Sequence, residues 1–292
     1  MLSRIVLFSV VLTVAAALVT GCGGPAGSEN EKAVVAGFYP LAFAAEKIAS
    51  AETIVENLTP SGAEPHDLEL SPSDVRAVAR AAYVLYLGEG FMPGLETAVE
   101  QREGRSLDLL AGGDLQEARD EGGEIVRDPH IWLDPVRYAA MARAIGVELG
   151  QVESAERLAR KLEGLDSEFR RGLAVCKRRE IVTSHAAFGY LASRYGLEQV
   201  PLEGLSPEAE PSARGIADLV DRVETSGATT VFFETLVSPK LAETVAREAG
   251  VETAVLNPLE GLTDDEIAAG EDYFSVMRSN LAALQKALGC RK

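Results

Sequence analysis

The strongest constraint on the fold is an alternation of short β-branched runs with amphipathic helical periods, repeated in two series along the chain. In the first series residues 33–38 are followed by 41–50, 53–58 by 73–82, and 83–87 by 94–101. In the second, 181–183 are followed by 186–195, 199–202 by 213–223, 229–233 by 239–249, and 253–256 by 264–288. Parallel strands need a crossover, and a helix is the usual one, so each series predicts a parallel sheet covered by helices. The fold class is α/β, with two lobes. Between them run two helical stretches, 135–149 and 154–176, the second with Leu158, Leu162, Leu165, Phe169 and Leu173 spaced three and four apart. That spacing lays one apolar stripe along a helix. At ~1.5 Å per residue the second stretch is roughly 35 Å long, enough to cross both lobes and to limit hinge motion between them.

Local signals fix some boundaries. Ser71, Pro72 and Asp74 form a capping signature, and Asp134-Pro135 reads as an N-cap followed by proline at the first helical position. Residues 112–128 (GGDLQEARDEGGEIVRD) read as an acidic surface loop.

Arg4 precedes an apolar run over residues 5–19, the length of a secretory h-region and shorter than the ~20 residues that span a bilayer. The run closes in Leu18-Val19-Thr20-Gly21-Cys22, which resembles the lipobox of bacterial lipoproteins. This predicts a signal peptide over 1–21, a lipid anchor at Cys22 and a flexible tether over 22–32. It also predicts export, with the protein held at the outer face of the cell membrane or in the periplasm. The lobes are then expected over 33–150 and 177–292, joined by a helix over 151–176. Cys176 and Cys290 remain; in an exported chain they either pair or stay free thiols, and sequence separation does not choose between the two.

The chain carries 45 acidic and 28 basic residues, a formal net charge of −17. Nucleic-acid binding needs clustered cations and is disfavoured, whereas a negative surface concentrates cations and speeds their arrival. Selection among cations points to the three histidines. His66 lies in PSGAEPHD after the second strand, His130 in DPHIWLDP before a helix, and His185 in VTSHAAFGY directly after a strand. Ligands of open α/β sheets bind beyond the carboxyl ends of strands, so a shared metal site of His66, His130 and His185 explains all three placements. Neutral imidazoles suit Zn²⁺, and three of them leave a fourth tetrahedral position; Mn²⁺, the alternative, calls for more carboxylate oxygen. Asp67, Asp128, Asp134 and Glu234 are by type able to orient a ligating imidazole, with Asp134 better explained as a cap.

At these residues the chain resembles the metal-binding lipoproteins of bacterial ABC importers, the zinc and manganese cluster of solute-binding proteins. The resemblance is carried by GFYPLAFAAEKI, PSGAEPHDLELSPSDV, DPHIWLDP, VTSHAAFGYLASRYGLEQ, GLSPEAEPSARGIADLV, VFFETLVSPKLAET and DYFSVMRSNLAAL, from about Gly37 to Leu284. It implies two Rossmann-like lobes joined by a long helix, with metal in the cleft between them. His66 and His130 would come from the N-terminal lobe and His185 from the C-terminal one, a three-histidine pattern of the zinc type. It further implies a monomer that delivers Zn²⁺ to a membrane permease driven by a cytoplasmic ATPase, with no chemistry performed on a substrate. Where relatives often carry an Asp as fourth ligand, this chain has Asn257 in VLNPLEGL, so a weaker carboxamide oxygen or water is expected there. The loop before DPHIWLDP, rich in His in many zinc importers, is acidic here.

A zinc-dependent hydrolase is the alternative from another class, because three histidines and an open water position also describe catalytic zinc. H-E-x-x-H is absent, and Gly204-Leu205-Ser206-Pro207-Glu208 misses G-x-S-x-G at its last position. Glu234, at a strand end, would be the general base in that reading. Because ligating imidazoles must be neutral, binding is expected to weaken as pH falls toward ~6.5.

Overall fold

The computed structural model describes residues 33–119, 124–207 and 213–291. The expected signal peptide, Cys22 anchor and tether lie outside the described residues. The N-terminal sheet is built from β1 (Ala33–Ala36), β2 (Ile54–Asn57), β3 (Tyr83–Tyr86) and β4 (Arg105–Asp108), all parallel, in the order β2-β1-β3-β4. Helices α1 (Tyr39–Ile48), α2 (Pro72–Arg80) and α3 (Pro93–Glu100) make the crossovers. The central strands carry Val34, Val35, Ala36, Val84 and Leu85 in full burial. The edge strand β2 is mostly exposed. This is the pattern of a sheet whose middle is covered on both faces.

A two-stranded antiparallel ribbon follows, β5 (Glu117–Arg119) with β6 (Ile125–Arg127), within the acidic surface loop expected over 112–128. Its ends are pinned together, Asp128 N–H donating to Gln116 O at 2.9 Å. Then α4 (Pro135–Glu148) and α5 (Val152–Gly172) pack against each other. The fit is close, since a Cβ on Gly146 would stand 2.3 Å from the Ala155 side chain. At ~1.5 Å per residue the 21 residues of α5 extend about 32 Å.

The C-terminal sheet contains β7 (Glu180–Thr183), β8 (Glu198–Pro201), β9 (Thr230–Phe233) and β10 (Glu252–Val255), parallel, in the order β10-β9-β7-β8. The crossovers are α6 (Gly189–Tyr195), α7 (Ala213–Ser226) and α8 (Lys240–Ala249), and the chain closes with α9 (Asp264–Ala268) and α10 (Tyr273–Leu288). Counted from its own first strand, each sheet has the order 2-1-3-4, so the two lobes share one topology.

The single helix expected over 264–288 is broken. Gly270 adopts φ 77°, and Asp272 starts α10 by accepting hydrogen bonds from the N–H groups of Phe274 and Ser275. The Ser71 and Asp134 caps form as their sequences predict. One buried apolar cluster runs from Val34 through Leu162 and Phe169 of α5 to Ile181, Phe232 and Leu284, so the lobes share a core across the linking helix. Cys176 and Cys290 form a disulfide, which decides the alternative the sequence left open. Among the described residues no helix is long and apolar enough to cross a membrane.

Candidate metal centre

In an open parallel sheet the crevice forms where the strand order reverses, beyond the carboxyl ends of the two central strands. In the C-terminal lobe these are β7 and β9, and the residues that leave them supply His185 and Glu234. Thr183 Oγ1 and Gln199 Nε2 both donate to the His185 carbonyl, at 2.8 and 2.9 Å, fixing the backbone as it leaves β7. Glu234 Oε1 accepts from His185 Nδ1 at 2.6 Å and also from the Ser184 hydroxyl.

From the other lobe, His130 follows the β5–β6 ribbon. Asp128 Oδ1 accepts from both its backbone N–H, at 2.9 Å, and its ring Nδ1, at 2.8 Å. Tyr190 of the opposite lobe donates to the Asp128 carbonyl, holding that segment against α6. His66 sits on the loop between β2 and α2, edge-on to Phe91, with ring centroids 4.7 Å apart. A carboxylate at Nδ1 keeps the ring proton there, so His130 and His185 present the lone pair of Nε2.

The Nε2 atoms converge on Glu260. Its Oε1 lies 3.1 Å from His130 Nε2, 3.4 Å from His185 Nε2 and 3.5 Å from His66 Nε2. The donor atoms of these four residues all lie within 4.8 Å of one another. For bonds of ~2.0–2.1 Å, tetrahedral geometry separates neighbouring donors by about 3.3 Å, so the three Glu260–imidazole distances match those of ligands around one Zn²⁺-sized ion. His66 Nε2, His185 Nε2 and Glu260 Oε2 are buried with no hydrogen-bond partner. Each such atom costs ~1–3 kcal/mol, and a shared cation offsets that cost.

The electrostatics agree. Burial alone would depress the imidazole pKa values, but Asp128 and Glu260 outweigh it at His130, and Glu234 and Glu260 at His185, raising both. Burial likewise opposes ionisation of Glu260, yet the His185 charge, then the hydrogen bond from His130 and the close approach of His185 and His66, hold it well below the usual carboxylate range. Glu64, two residues before His66, is pushed up to about 9 by burial and then by the neighbouring Glu260 charge.

The structure therefore brings together His66, His130 and His185, and pairs the latter two with Asp128 and Glu234. Asp67 is exposed beside His66. The Asn257 carboxamide is engaged within its own loop. Its Oδ1 accepts from Leu259 N–H at 2.7 Å, and its Nδ2 donates to Thr235 and Glu266 at 2.9 and 3.0 Å, so the carboxamide is used up in shaping its own loop. That turn holds Leu259 at φ 59°, a left-handed conformation unusual for leucine, and delivers Glu260 to the cluster. Trp132 of the other lobe donates to the Pro258 carbonyl at 2.8 Å and pins the same turn. The fourth donor is Glu260, which sequence reasoning passed over. Its signal was a carboxylate set among Leu259, Gly261 and Leu262 in a loop that follows a strand.

Fold and site together define a two-lobed solute-binding protein whose cleft holds a three-histidine, one-carboxylate site suited to a divalent cation. The chain belongs to the family described as zinc-uptake complex component A, periplasmic, whose model it matches over residues 34–287. It is 36% identical over 293 residues to the zinc-binding lipoprotein AdcA of Streptococcus pneumoniae, an alignment covering 93% of this chain but 58% of that protein. Several of the curated relatives it matches are thus much longer than the region they share with it. It is 35% identical to the high-affinity zinc uptake system protein ZnuA of Bacillus subtilis, covering 93% of this chain and 94% of that one. Among solved structures, the Zn(II)-bound ZnuA-like domain of S. pneumoniae AdcA superposes with a TM-score of 0.74 at 37% identity, covering 88% of this chain and 98% of that domain. The laminin-binding protein Lmb of Streptococcus agalactiae, described as having adhesin and metal-transporting activity, gives 0.79 at 28%, covering 88% and 99%.

Proposed function

We propose that this protein captures Zn²⁺ outside the cytoplasm through His66, His130, His185 and Glu260 and hands it to an ABC permease powered by a cytoplasmic ATPase. The observation that carries the reading is the convergence of three Nε2 atoms on one Glu260 oxygen at 3.1 to 3.5 Å. Asp128 and Glu234 act behind the ligands by holding the ring protons of His130 and His185. Family membership supports the transport role, and the Cys22 lipobox supports attachment at the outer face of the membrane. The protein works as a monomer and is not an enzyme. Glu260 takes the fourth position that a catalytic zinc leaves to water, and Glu234, the conceivable general base, is committed to His185 and Ser184. Three imidazoles with a single carboxylate favour zinc over manganese.

Calorimetry on the mature chain is expected to show one Zn²⁺ bound with sub-micromolar affinity. His66→Ala, His130→Ala, His185→Ala and Glu260→Ala should each weaken binding by more than the ~10–100-fold typical of losing an outer hydrogen-bond partner. Unchanged affinity in all four variants would remove the site. Protein purified without added metal should carry zinc by elemental analysis; dominant manganese would overturn the metal assignment.

A further inference from the structure

The loop between β2 and α2 carries one more group toward the centre than the ligand set uses. Of the four donors, His66 alone keeps contact with solvent, its side chain 9% exposed while those of His130, His185 and Glu260 are 0%. The approach from solvent therefore passes this loop. Its other contacts tie it to the opposite lobe, since Gly62 N–H donates to Leu262 O at 2.9 Å and the Ser61 hydroxyl bonds Asp264.

Glu64 lies on that loop. Its Oε1 accepts from His66 N–H at 3.3 Å, whereas Oε2 is buried with no hydrogen-bond partner. The residue as a whole is half-buried, between solvent and the fully buried donors. It is not one of the four whose donor atoms cluster within 4.8 Å, yet the charges acting on it include Glu260, His185 and Glu234 of the centre. A carboxylate oxygen withdrawn from water without a donor is costly unless a proton or a cation comes to it.

We propose that Glu64 is the entry carboxylate of the centre: Oε2 takes the incoming, still partly hydrated divalent cation, passes it to His66 Nε2, and receives it first on the way out. The inference rests on the reading of the centre as a Zn²⁺ site. The exchange is one of ligands and protons. Waters leave the ion for solvent as imidazole and Glu260 replace them, protons held by the rings and by Glu64 in the metal-free protein pass to solvent as the ion arrives and return as it leaves, and the ion keeps its charge throughout. A carboxylate oxygen suits the hydrated ion because it binds without requiring full dehydration. An added station on a path lowers the barrier in both directions, so it alters rates and leaves the end states alone.

The test is stopped-flow Zn²⁺ association, and dissociation into a chelator, on the mature chain and its Glu64→Gln, Glu64→Asp and Glu69→Gln variants. Gln keeps the size of Glu64 and the acceptor for His66 N–H. Glu69 is exposed on the same loop and controls for loss of charge. In Glu64→Gln both rates are expected to fall about tenfold or more, within the range over which charge alters capture rates, while the equilibrium constant moves little. The deficit should persist at 1 M salt, where screening acts over about 3 Å. Glu64→Asp should recover most of the rate, and Glu69→Gln should match the parent.

Rates equal to the parent's would overturn the proposal. So would a deficit that vanishes in salt or appears equally in Glu69→Gln, since either marks a diffuse field. Weaker affinity with an unchanged association rate would show that Glu64 only holds His66 in place, and an Asp variant as slow as Gln would also refute the carboxylate's role. If the parent chain itself takes up no Zn²⁺, the reading of the centre fails, a result separable from every outcome that concerns Glu64 alone.

Discussion

Three of the four donors are shaped by the group behind them. Asp128 and Glu234 hold the ring protons of His130 and His185 on Nδ1, and the turn built on Asn257 brings Glu260 to the three buried Nε2 atoms. The carboxylates that prepare these rings also make them better bases, which sharpens the expected pH dependence. A raised folded pKa means the imidazolium stabilises the metal-free protein fully below ~6.5, the ordinary histidine value, and that contribution is lost as pH rises through the raised values. Zn²⁺ needs the neutral rings, so protons compete with it above ~6.5 as well as below. Apparent affinity should keep climbing from pH 6.5 to 8, and calorimetry near pH 7 in buffers of different ionisation heat should show proton release. Affinity that is flat over this interval would contradict the argument.

Between helices, the clearest clamp is Asp166 on α5. Arg194 Nε and Tyr195 OH of α6 donate to its Oδ1 at 2.6 and 3.1 Å, Arg170 Nε donates to Oδ2 at 3.0 Å, and Arg194 also stands 3.1 Å from Asp134 at the start of α4. Burial opposes the Asp166 charge, but the hydrogen bonds from Arg194 and Arg170 prevail and lower its pKa. A depressed folded pKa gives stability that is present above the unfolded value of ~3.9 and lost as pH falls through the folded one. Asp166→Asn should therefore cost about 1–3 kcal/mol in urea unfolding at pH 7, with the gap to the parent closing below pH 4. The parts of the molecule that can be read in advance are those written locally. Ser71 and Asp134 cap their helices through atoms two or three residues away, and the β/α alternation needs only periodicity. β4, the β5–β6 ribbon and the break before α10 are weak in pattern, resting on an edge pairing, short strands and one Gly270 turn. The three histidines were legible because their residue type is rare here and each falls after a strand or before a helix. Glu260 was not, because an apolar setting in a loop after a strand is a weak mark for one acid among 45; only packing brings it to the cluster, and Asn257, the amide nearer the expected position, builds the turn instead.

The whole molecule is tied together at several levels. One buried core spans both lobes and α5, and the disulfide closes the C-terminal lobe from Cys176 before β7 to Cys290 after α10. Its sequence separation of 114 gives the chain-entropy model a stabilisation of about 4–5 kcal/mol. Cys176→Ser is expected to lower the thermal midpoint markedly while leaving Zn²⁺ affinity near that of the parent, because the bridge lies by the amino ends of strands whose carboxyl ends face the centre. A large loss of affinity would show that the two ends of the lobe are coupled. The helix that spans the lobes has a further effect on the cargo. The centre takes His66 and His130 from one lobe and His185 and Glu260 from the other, so neither half offers more than a pair of donors. With the halves held by α5 and a common core, the second pair meets an ion already on the first at the effective concentration of a linked partner. On the proposed ligand set the protein is a preassembled chelator, in which the rigidity of the frame is itself a component of the affinity.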